Sequence, residues 1–348
     1  MKQNCRWRPL AGEETAVNPA SSKPRDYALD NIRFVLIFAV VFAHFLEVCT
    51  PFLGSRLLYQ WIYSFHMPAF IFLFGYNVRY APRRIICRWF VPYLVFQVLY
   101  IFFARRVLQA DLSFQFVSPY WLLWYMVACM LYQLLLPLYD IKSKRGQVLA
   151  VVISFAIGML AGFDNYVGYT LSLSRFLVFQ PWFLLGFYCH KNHCLETLAA
   201  RKKLSLCVLL VGGALVCAMV PLLDFLNMPN QVLFGSYSYE TMGGPIWMRG
   251  MAYLLALCWM CFLFVGVKPF INRKIFAVTA VGQNTWPVFL LHGFVVKAFP
   301  VVFPQTLYAP WQVLLLTVAI LLLLGNPLVR KLVDWCSFSW LERFWKDR

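Results

Sequence analysis

The chain has 348 residues, of which 61% are hydrophobic and only 13% are charged. This composition excludes an ordinary soluble protein, because about ten apolar stretches of roughly 17–24 residues recur with short polar gaps. The formal net charge of +17 does not indicate nucleic-acid binding, since the basic residues lie in loops between the apolar stretches and form no stripe with interleaved aromatic residues.

The apolar stretches follow a polar start of the chain. Residues 1–27 carry mixed charge, which predicts a disordered cytosolic tail without a cleavable signal peptide. The predicted spans are 28–49, 57–79, 86–104, 119–139, 147–163, 176–190, 204–223, 249–267, 276–299 and 308–329. We therefore predict an all-α fold, a polytopic integral membrane helical bundle of about ten transmembrane helices. Residues 28–330 form its transmembrane domain, and residues 331–348 form a basic cytosolic C-terminal segment.

The distribution of basic residues predicts the orientation of the bundle. Most of the 31 Lys and Arg residues fall in loops on the same side as the first residue, and cytosolic loops carry such an excess. Both termini are therefore expected in the cytosol, and the chain is expected to be a multi-pass protein of the cytoplasmic (inner) cell membrane. The excess charge indicates anionic lipid headgroups as contacts, and no nucleic-acid partner is expected. The 11 cysteines, most of them within spans, are typical of small buried hydrophobic side chains.

Four ionisable residues lie in the first span, namely Asp30, Arg33, His44 and Glu47. At 100° per residue they share one helical face, and His44 lies about 16 Å beyond Arg33 along the axis. Because such groups cost roughly 2.5–3.5 kcal/mol each inside a bilayer, they usually have a function. We interpret them as a polar strip in which Arg33 binds an anionic group and Asp30 orients it. His44 is then a general base, and Glu47 holds its imidazole. The alternative is an interfacial Asp30–Arg33 ion pair with His44 packed between helices.

Motifs along most of the chain resemble one family. Asp26–Arg33, followed by ten residues and then His44, resembles the opening of the acyltransferase-3 family of membrane acyltransferases, whose hallmark is an Arg and a His separated by ten residues. Phe65–Tyr76 resembles the second-span signature of the branch called fucose 4-O-acetylase and related acetyltransferases. Further similar segments are Tyr120–Trp124, Ser174–Phe176, Pro181–Gly186, Gly282–Thr285 and Leu290–Gly293. The resemblance covers about residues 26–330, so the transmembrane domain is acyltransferase-3-like.

The resemblance implies an activity. Such a protein takes an acyl-CoA, usually acetyl-CoA, from the cytosol and transfers the acyl group to a hydroxyl of a sugar or other envelope molecule. We therefore predict an O-acetyltransferase that acts on a cell-envelope or exported glycan or a lipid-linked sugar, with no tightly bound cofactor. His44 corresponds to the family's catalytic His, and Arg33 becomes a donor-handling or structural partner. The alternatives are a transporter or flippase for a glycan or small solute, and an inactive membrane scaffold.

The chain departs from the family pattern at two places. Phe74 stands where the branch often has Ser, and Arg84 and Arg88 are four residues apart where the family often has an RxxR motif. That spacing still places both arginines on one helical face. They are our predicted donor-binding residues, as a clamp for the phosphates of coenzyme A, although ordinary positive-inside charge explains them equally well.

Six further residues are predicted to line a cavity or bind the acceptor: His66, Trp121, Trp124, Arg175, Asn284 and His292. His66 is expected at the depth of His44, so that two histidines flank one cavity, and packing is the alternative. The two tryptophans suit sugar stacking or an aromatic belt at the interface. Asn284 and His292 suit a cavity wall or hydrogen bonds between helices. No metal site is predicted, because the Cys–His pairs of residues 189–194 point about 100° apart.

Overall fold

The computed structural model describes residues 25–49, 54–166, 168, 170–304 and 308–344. Most of the predicted disordered tail, residues 1–24, lies outside the described residues. The last four residues of the predicted C-terminal segment also lie outside them. The predictions for those parts therefore remain predictions.

The described residues form helices and connecting segments, without a strand among them. The prediction of an all-α helical bundle is thus confirmed. The α-helices are α1 Tyr27–Val48, α2 Ser55–Tyr63, α3 His66–Asn77, α4 Pro82–Ile85, α5 Val91–Arg106, α6 Trp124–Leu135, α7 Lys144–Leu160, α8 Leu173–Lys191, α9 Cys194–Ala199, α10 Lys202–Leu226, α11 Gln231–Phe234, α12 Tyr239–Met242, α13 Ile246–Met260, α14 Phe276–Gln283, α15 Thr285–Val302, α16 Pro310–Leu324, α17 Pro327–Cys336 and α18 Leu341–Phe344. Short π-helical turns at Ile86–Phe90 and Cys261–Val267 join α4 to α5 and extend α13.

Seven helical stretches in the described part of the chain are long and apolar enough to cross a membrane, and there are eight if the bent pair of α16 and α17 is counted as one span. They are Tyr27–Val48, Ser55–Asn77, Pro82–Arg106, Trp121–Tyr139, Lys202–Leu226, Ile246–Phe270 and Thr285–Val302. Two further predicted spans correspond to α7, which has only 17 residues, and to α8, whose Arg175, Gln180 and Pro181 lower its mean hydropathy. The number of ten transmembrane helices remains a prediction.

Two of the predicted continuous spans are broken in the middle. The second span divides at Ser64 and Phe65, four residues before Pro68, because a proline ring clashes with the carbonyl four positions earlier and leaves it without an amide donor. The ninth span divides at Asn284, whose ψ of 38° is not helical. Its side chain instead donates to the carbonyl of Ala280 at 3.0 Å. Both breaks lie close to the predicted site residues.

Helix α1 lies at the centre of the bundle. In an apolar 18-residue stretch of α1, 67% of the residues are buried inside the protein, whereas in the corresponding stretch of α10 only 22% are buried. Helix α1 therefore contacts protein on most sides, and α10 faces outward. The helix begins at Asp26, whose carboxylate accepts hydrogen bonds from the amides of Ala28 and Leu29 and so caps the first turn. Helices α2, α3, α14, α15 and α16 pack around it.

The basic segments lie together at one end of the bundle. Ion pairs and hydrogen bonds there join residues that are distant in sequence: Asp26 with Lys268, Asp140 with Lys191, Glu342 with Arg84 and Arg88, and Arg330 with the carbonyl of Gln283. We call this end the basic end. It contains the start of α1 and the helices α17 and α18.

Candidate functional site

The polar strip of α1 begins at the basic end with a buried carboxylate. Asp30 is only 2% exposed. It accepts hydrogen bonds from Arg33 at 2.8 Å, Arg25 at 2.9 Å and Gln283 of α14 at 3.0 Å. Because a buried carboxylate needs partners, these three donors fix its position, and Asp30 in turn fixes the guanidinium of Arg33. Asp30 itself is not among the residues that line the cavity described next.

A cavity of about 460 Å³ follows α1 from Arg33 to Glu47, about 21 Å along the helix axis. We call it the histidine cavity because His44, His66 and His292 all line it. The structure thereby brings together residues from α1, α3, α6, α8 and α15. Eight of the predicted site residues line it: Arg33, His44, Glu47, His66, Trp121, Trp124, Arg175 and His292.

His44 is held from one side by a carboxylate. Oε2 of Glu47, one turn further along α1, lies 3.3 Å from Nδ1 of His44. The other carboxylate oxygen, Oε1, accepts hydrogen bonds from the hydroxyls of Tyr59 at 2.5 Å and Tyr63 at 3.1 Å. An imidazole whose Nδ1–H is held by a carboxylate keeps the lone pair of Nε2 available to accept a proton. The geometry therefore suits a general base.

His66 and His292 are more deeply buried than His44, with 2% and 0% exposure. The rings of His44 and His292 are stacked with their centroids 5.5 Å apart. Each of the two buried histidines has its Nδ1 close to a backbone carbonyl four residues earlier in the chain, at 2.9 Å for Ile62 and 2.8 Å for Val288. Three imidazoles thus surround one cavity.

Trp121, Trp124 and Arg175 also line the histidine cavity, and Lys297 lies against the Trp121 ring. Trp121 lies edge-on against His44 with the ring centroids 4.6 Å apart, and the amine of Lys297 is 4.4 Å from the Trp121 ring centroid. The guanidinium of Arg175 lies 5.0 Å from the Trp124 ring and donates to the carbonyl of Phe234 at 3.1 Å. Flat aromatic faces beside cations suit a sugar ring as well as a membrane interface.

The two predicted donor-binding arginines line a second, larger cavity of about 910 Å³ at the basic end. We call it the basic cavity. Nε of Arg84 lies 3.1 Å and Nε of Arg88 lies 2.5 Å from the two carboxylate oxygens of Glu342 in α18. Burial would raise the pKa of the Glu342 carboxyl, but the guanidiniums of Arg88 and Arg84 outweigh that effect and hold the pKa below its usual value.

The two cavities adjoin. Phe74, Asn77, Trp89 and Trp286 line both of them, so a molecule bound in the basic cavity meets the histidine cavity at these side chains. Phe74, which stands where the resembled branch often has Ser, forms part of this shared wall. Its ring is 5.3 Å from that of Trp89.

One predicted cavity residue lies elsewhere. Asn284 is not among the lining residues of either cavity in the described part of the chain. Its side chain accepts a hydrogen bond from Arg330 at 3.2 Å, in addition to its bond with Ala280. The placement follows from the break between α14 and α15, which turns Asn284 toward α17 rather than into the cavity.

Sequence reasoning missed the residues that support the site from neighbouring helices. Tyr59 and Tyr63 are four residues apart on α2, a spacing that places both hydroxyls on one face, and this spacing was the available signal. Gln283, which holds Asp30, and Trp286, which lines both cavities, gave no comparable signal. Within the described residues, no group of three or more His, Cys, Asp or Glu side chains is placed to hold a metal ion.

Comparison with known protein families identifies the family to which the chain belongs. The family model described as an acyltransferase domain, acyltransferase-3, matches residues 26–324, which is most of the chain. The match includes the three histidines of the histidine cavity and the two predicted donor-binding arginines, and it ends before α17. The searches of curated proteins and of solved structures found no match.

Proposed function

The chain belongs to the acyltransferase-3 family, and from that premise we propose that it is a membrane O-acetyltransferase that takes acetyl-CoA from the cytosol and acetylates a hydroxyl of a sugar in a cell-envelope or exported glycan. The observation that carries the proposal is the adjoining pair of cavities, one basic and one lined by a carboxylate-held histidine. A multi-pass position in the cytoplasmic membrane agrees with the seven membrane-capable stretches.

The basic cavity suits the donor. Coenzyme A carries several phosphate charges, and guanidinium groups bind phosphate oxygens with two parallel hydrogen bonds. Five cationic residues line this cavity: Arg79, Arg84, Arg88, Arg330 and Lys331. With the phosphates bound there, the uncharged pantetheine arm would pass the shared wall of Phe74 and Trp286, and the thioester would enter the histidine cavity.

Acyl transfer then needs a base and a leaving-group acid, and His44 can serve as both. The acceptor hydroxyl gives its proton to Nε2 of His44 while its oxygen attacks the thioester carbonyl. The carbon–sulfur bond then breaks, and the departing thiolate takes that proton from the imidazolium, so the products are the ester and free coenzyme A. Glu47 stabilises the transient imidazolium by its carboxylate contact with Nδ1.

The test is transfer by purified protein of labelled acetyl from acetyl-CoA to envelope glycans isolated from cells that lack the protein. We expect a labelled acetyl ester with the wild type and about a 10²–10⁴-fold lower rate with His44→Ala, the range for removal of a general base. His190→Ala, at an exposed histidine, is the matched control and keeps the rate. Movement of the glycan across the membrane without ester formation would contradict the proposal in favour of a transporter. A folded His44→Ala with full transfer would contradict the assigned base.

A further inference from the structure

The three histidines of the cavity differ in how their Nδ1 atoms are bonded. In His44, Nδ1 faces a carboxylate, Glu47, at 3.3 Å. In His66, Nδ1 lies 2.9 Å from the carbonyl oxygen of Ile62 in α2, and in His292, Nδ1 lies 2.8 Å from the carbonyl oxygen of Val288 in α15. A carbonyl oxygen can only accept a hydrogen bond, so Nδ1 carries the hydrogen in both of these residues.

The bonding of Nδ1 determines what Nε2 can do. In a neutral imidazole with hydrogen on Nδ1, Nε2 has a bare lone pair and is a hydrogen-bond acceptor. Nε2 of His292 is buried and has no partner among the described residues, and the structure gives His66 no second hydrogen bond within its described part. Because an unsatisfied buried acceptor is costly, the Nε2 atom of His292 indicates a ligand that donates a hydrogen bond.

The charged side chains around the cavity distinguish His44 from the other two histidines. Glu47 is the only carboxylate among the described residues that line the cavity, and its contacts go to His44, Tyr59 and Tyr63. The other charged lining residues are Arg33 and Arg175, and the amine of Lys297 lies against the Trp121 ring. His44 is thus the imidazole with a carboxylate partner, while the Nδ1 partners of His66 and His292 are neutral carbonyls.

On the basis of the proposed function, we propose that His292, with His66 as a second acceptor, selects an acceptor molecule that carries a hydroxyl next to the reacting one, a vicinal diol. The reacting hydroxyl donates to His44. Because the His292 ring is stacked 5.5 Å from that of His44, the neighbouring hydroxyl donates to Nε2 of His292. His292 is then a positioning and specificity residue, and it takes no proton.

The tautomers can be measured without any reaction. The chain has five histidines, so ¹⁵N-histidine-labelled protein in lipid nanodiscs gives a spectrum that single variants can assign. We expect the ¹⁵N shifts of His66 and His292 to show hydrogen on Nδ1 and none on Nε2 from pH 6 to 8. Hydrogen on Nε2 of His292 would overturn the proposal whether or not the protein is an acetyltransferase.

The selection is tested with two small acceptors, cis-1,2-cyclohexanediol and cyclohexanol, and labelled acetyl-CoA. We expect the wild type to prefer the diol by about three- to tenfold in kcat/KM, the effect of one neutral hydrogen bond. His292→Phe keeps a ring but loses the acceptor, and should lose the preference. His292→Gln places an amide oxygen near the position of Nε2, and should retain the preference with acetyl-CoA KM unchanged.

An equal preference in the wild type, or a preference retained by His292→Phe, would overturn the proposal. If the wild type acylates neither alcohol and forms no ester on envelope glycans, the proposed O-acetyl transfer fails instead, and the tautomers still decide the state of His292.

Discussion

The Glu47 carboxylate connects two helices to one imidazole. It accepts from Tyr59 and Tyr63 on α2 through one oxygen and faces His44 with the other. The Glu47 side chain is 27% exposed, so the carboxylate lies close to the outer end of the histidine cavity and is not fully buried in the core. Two tyrosine hydroxyls therefore fix the carboxylate, and the carboxylate fixes the orientation of the His44 ring.

Glu47→Gln removes the charge while keeping the size of the side chain. Hydrogen bonds to charged groups are worth about 1.5–3 kcal/mol, so we expect kcat to fall by about 10- to 150-fold with little change in the KM for acetyl-CoA. Steady-state kinetics in detergent measures both parameters. In the double variant with His44→Ala, Glu47→Gln should cause no further loss. A further loss in that double variant would show that Glu47 acts independently of His44.

The residues of α1 were predictable because a single straight helix fixes the angles between its own side chains. Arg33, His44 and Glu47 line one cavity as the helical projection predicts, although their catalytic roles remain predictions. The contacts with Tyr59, Tyr63 and Gln283 were not predictable, because they join different helices and depend on how those helices pack. Asn284 shows the same limit, since the break in the ninth span, and not its periodicity, decides where the side chain lies.

Helices α3 and α8 are in contact along their backbones. A Cβ added at Gly186 of α8 would overlap the carbonyl oxygen of Phe72, and one added at Gly75 of α3 would overlap the carbonyl oxygen of Phe183. Each helix thus contributes a glycine that admits the backbone of the other, as small residues do in membrane bundles. His66 lies on α3 and Arg175 lies on α8, so this contact sets the distance between two walls of the histidine cavity.

Gly186→Ala should therefore force the two helices apart. Overpacking typically costs about 1–3 kcal/mol, and we expect a lower thermal unfolding midpoint in detergent together with a lower rate of acyl transfer. Gly213→Ala in α10 is the control, because its Cβ would meet only the Phe262 ring at an ordinary 3.4 Å. Equal unfolding midpoints for the two variants would contradict the close backbone contact.

The C-terminal helices α17 and α18, which follow the region matched by the family model in the sequence, line the basic cavity. Glu342 on α18 pairs with both predicted donor arginines, while Asp334 on α17 pairs within its own helix, with Arg330 at 3.7 Å. Both carboxylates line the same cavity. Substitution of each of these two acidic residues in turn therefore distinguishes the effect of docking α18 from the effect of negative charge alone.

Glu342→Gln should loosen α17 and α18, whereas Asp334→Asn should not. Each partly exposed ion pair is worth about 0.2–1 kcal/mol, so loss of both should raise amide hydrogen exchange in residues 327–344 by about two- to thirtyfold at neutral pH. The pKa of Glu342 is depressed in the folded protein, so its contribution is present above about pH 4.3, its ordinary pKa, and disappears as the pH falls further. After correction for intrinsic rates, wild type and variant should converge at acidic pH. Equal exchange at neutral pH would contradict the docking.

The positions of the spans were largely predictable because long apolar runs have one stable form in a bilayer. Their interruptions were less predictable. The bend of 66° between α16 and α17 lies between Gly325 and Pro327. Glycine and proline commonly end helices, yet the predicted tenth span 308–329 runs through both residues. The break at Ser64 depends on Pro68, which the sequence places inside an otherwise continuous span.

At the scale of the whole molecule, the cavities define a direction. The basic cavity lies at the end that contains the start of α1 and helices α17 and α18, and the histidine cavity runs from there toward Arg175 and the segment Leu233–Tyr237. The predicted orientation assigns the basic end to the cytosol. The donor would then enter from the cytosol and the glycan from the opposite side, and the two would meet at His44.

This direction predicts sided use of the donor. The charged phosphates of coenzyme A cannot cross a lipid bilayer unaided, so sealed membrane vesicles with the cytosolic face outside should incorporate labelled acetyl from external acetyl-CoA into their own glycans. Sealed vesicles of the opposite orientation should do so only after permeabilisation. Vesicles that contain His44→Ala at equal protein level give the background. Equal incorporation by both kinds of intact wild-type vesicles would contradict the orientation of the basic end, because acetyl-CoA would then have reached the site from the wrong face.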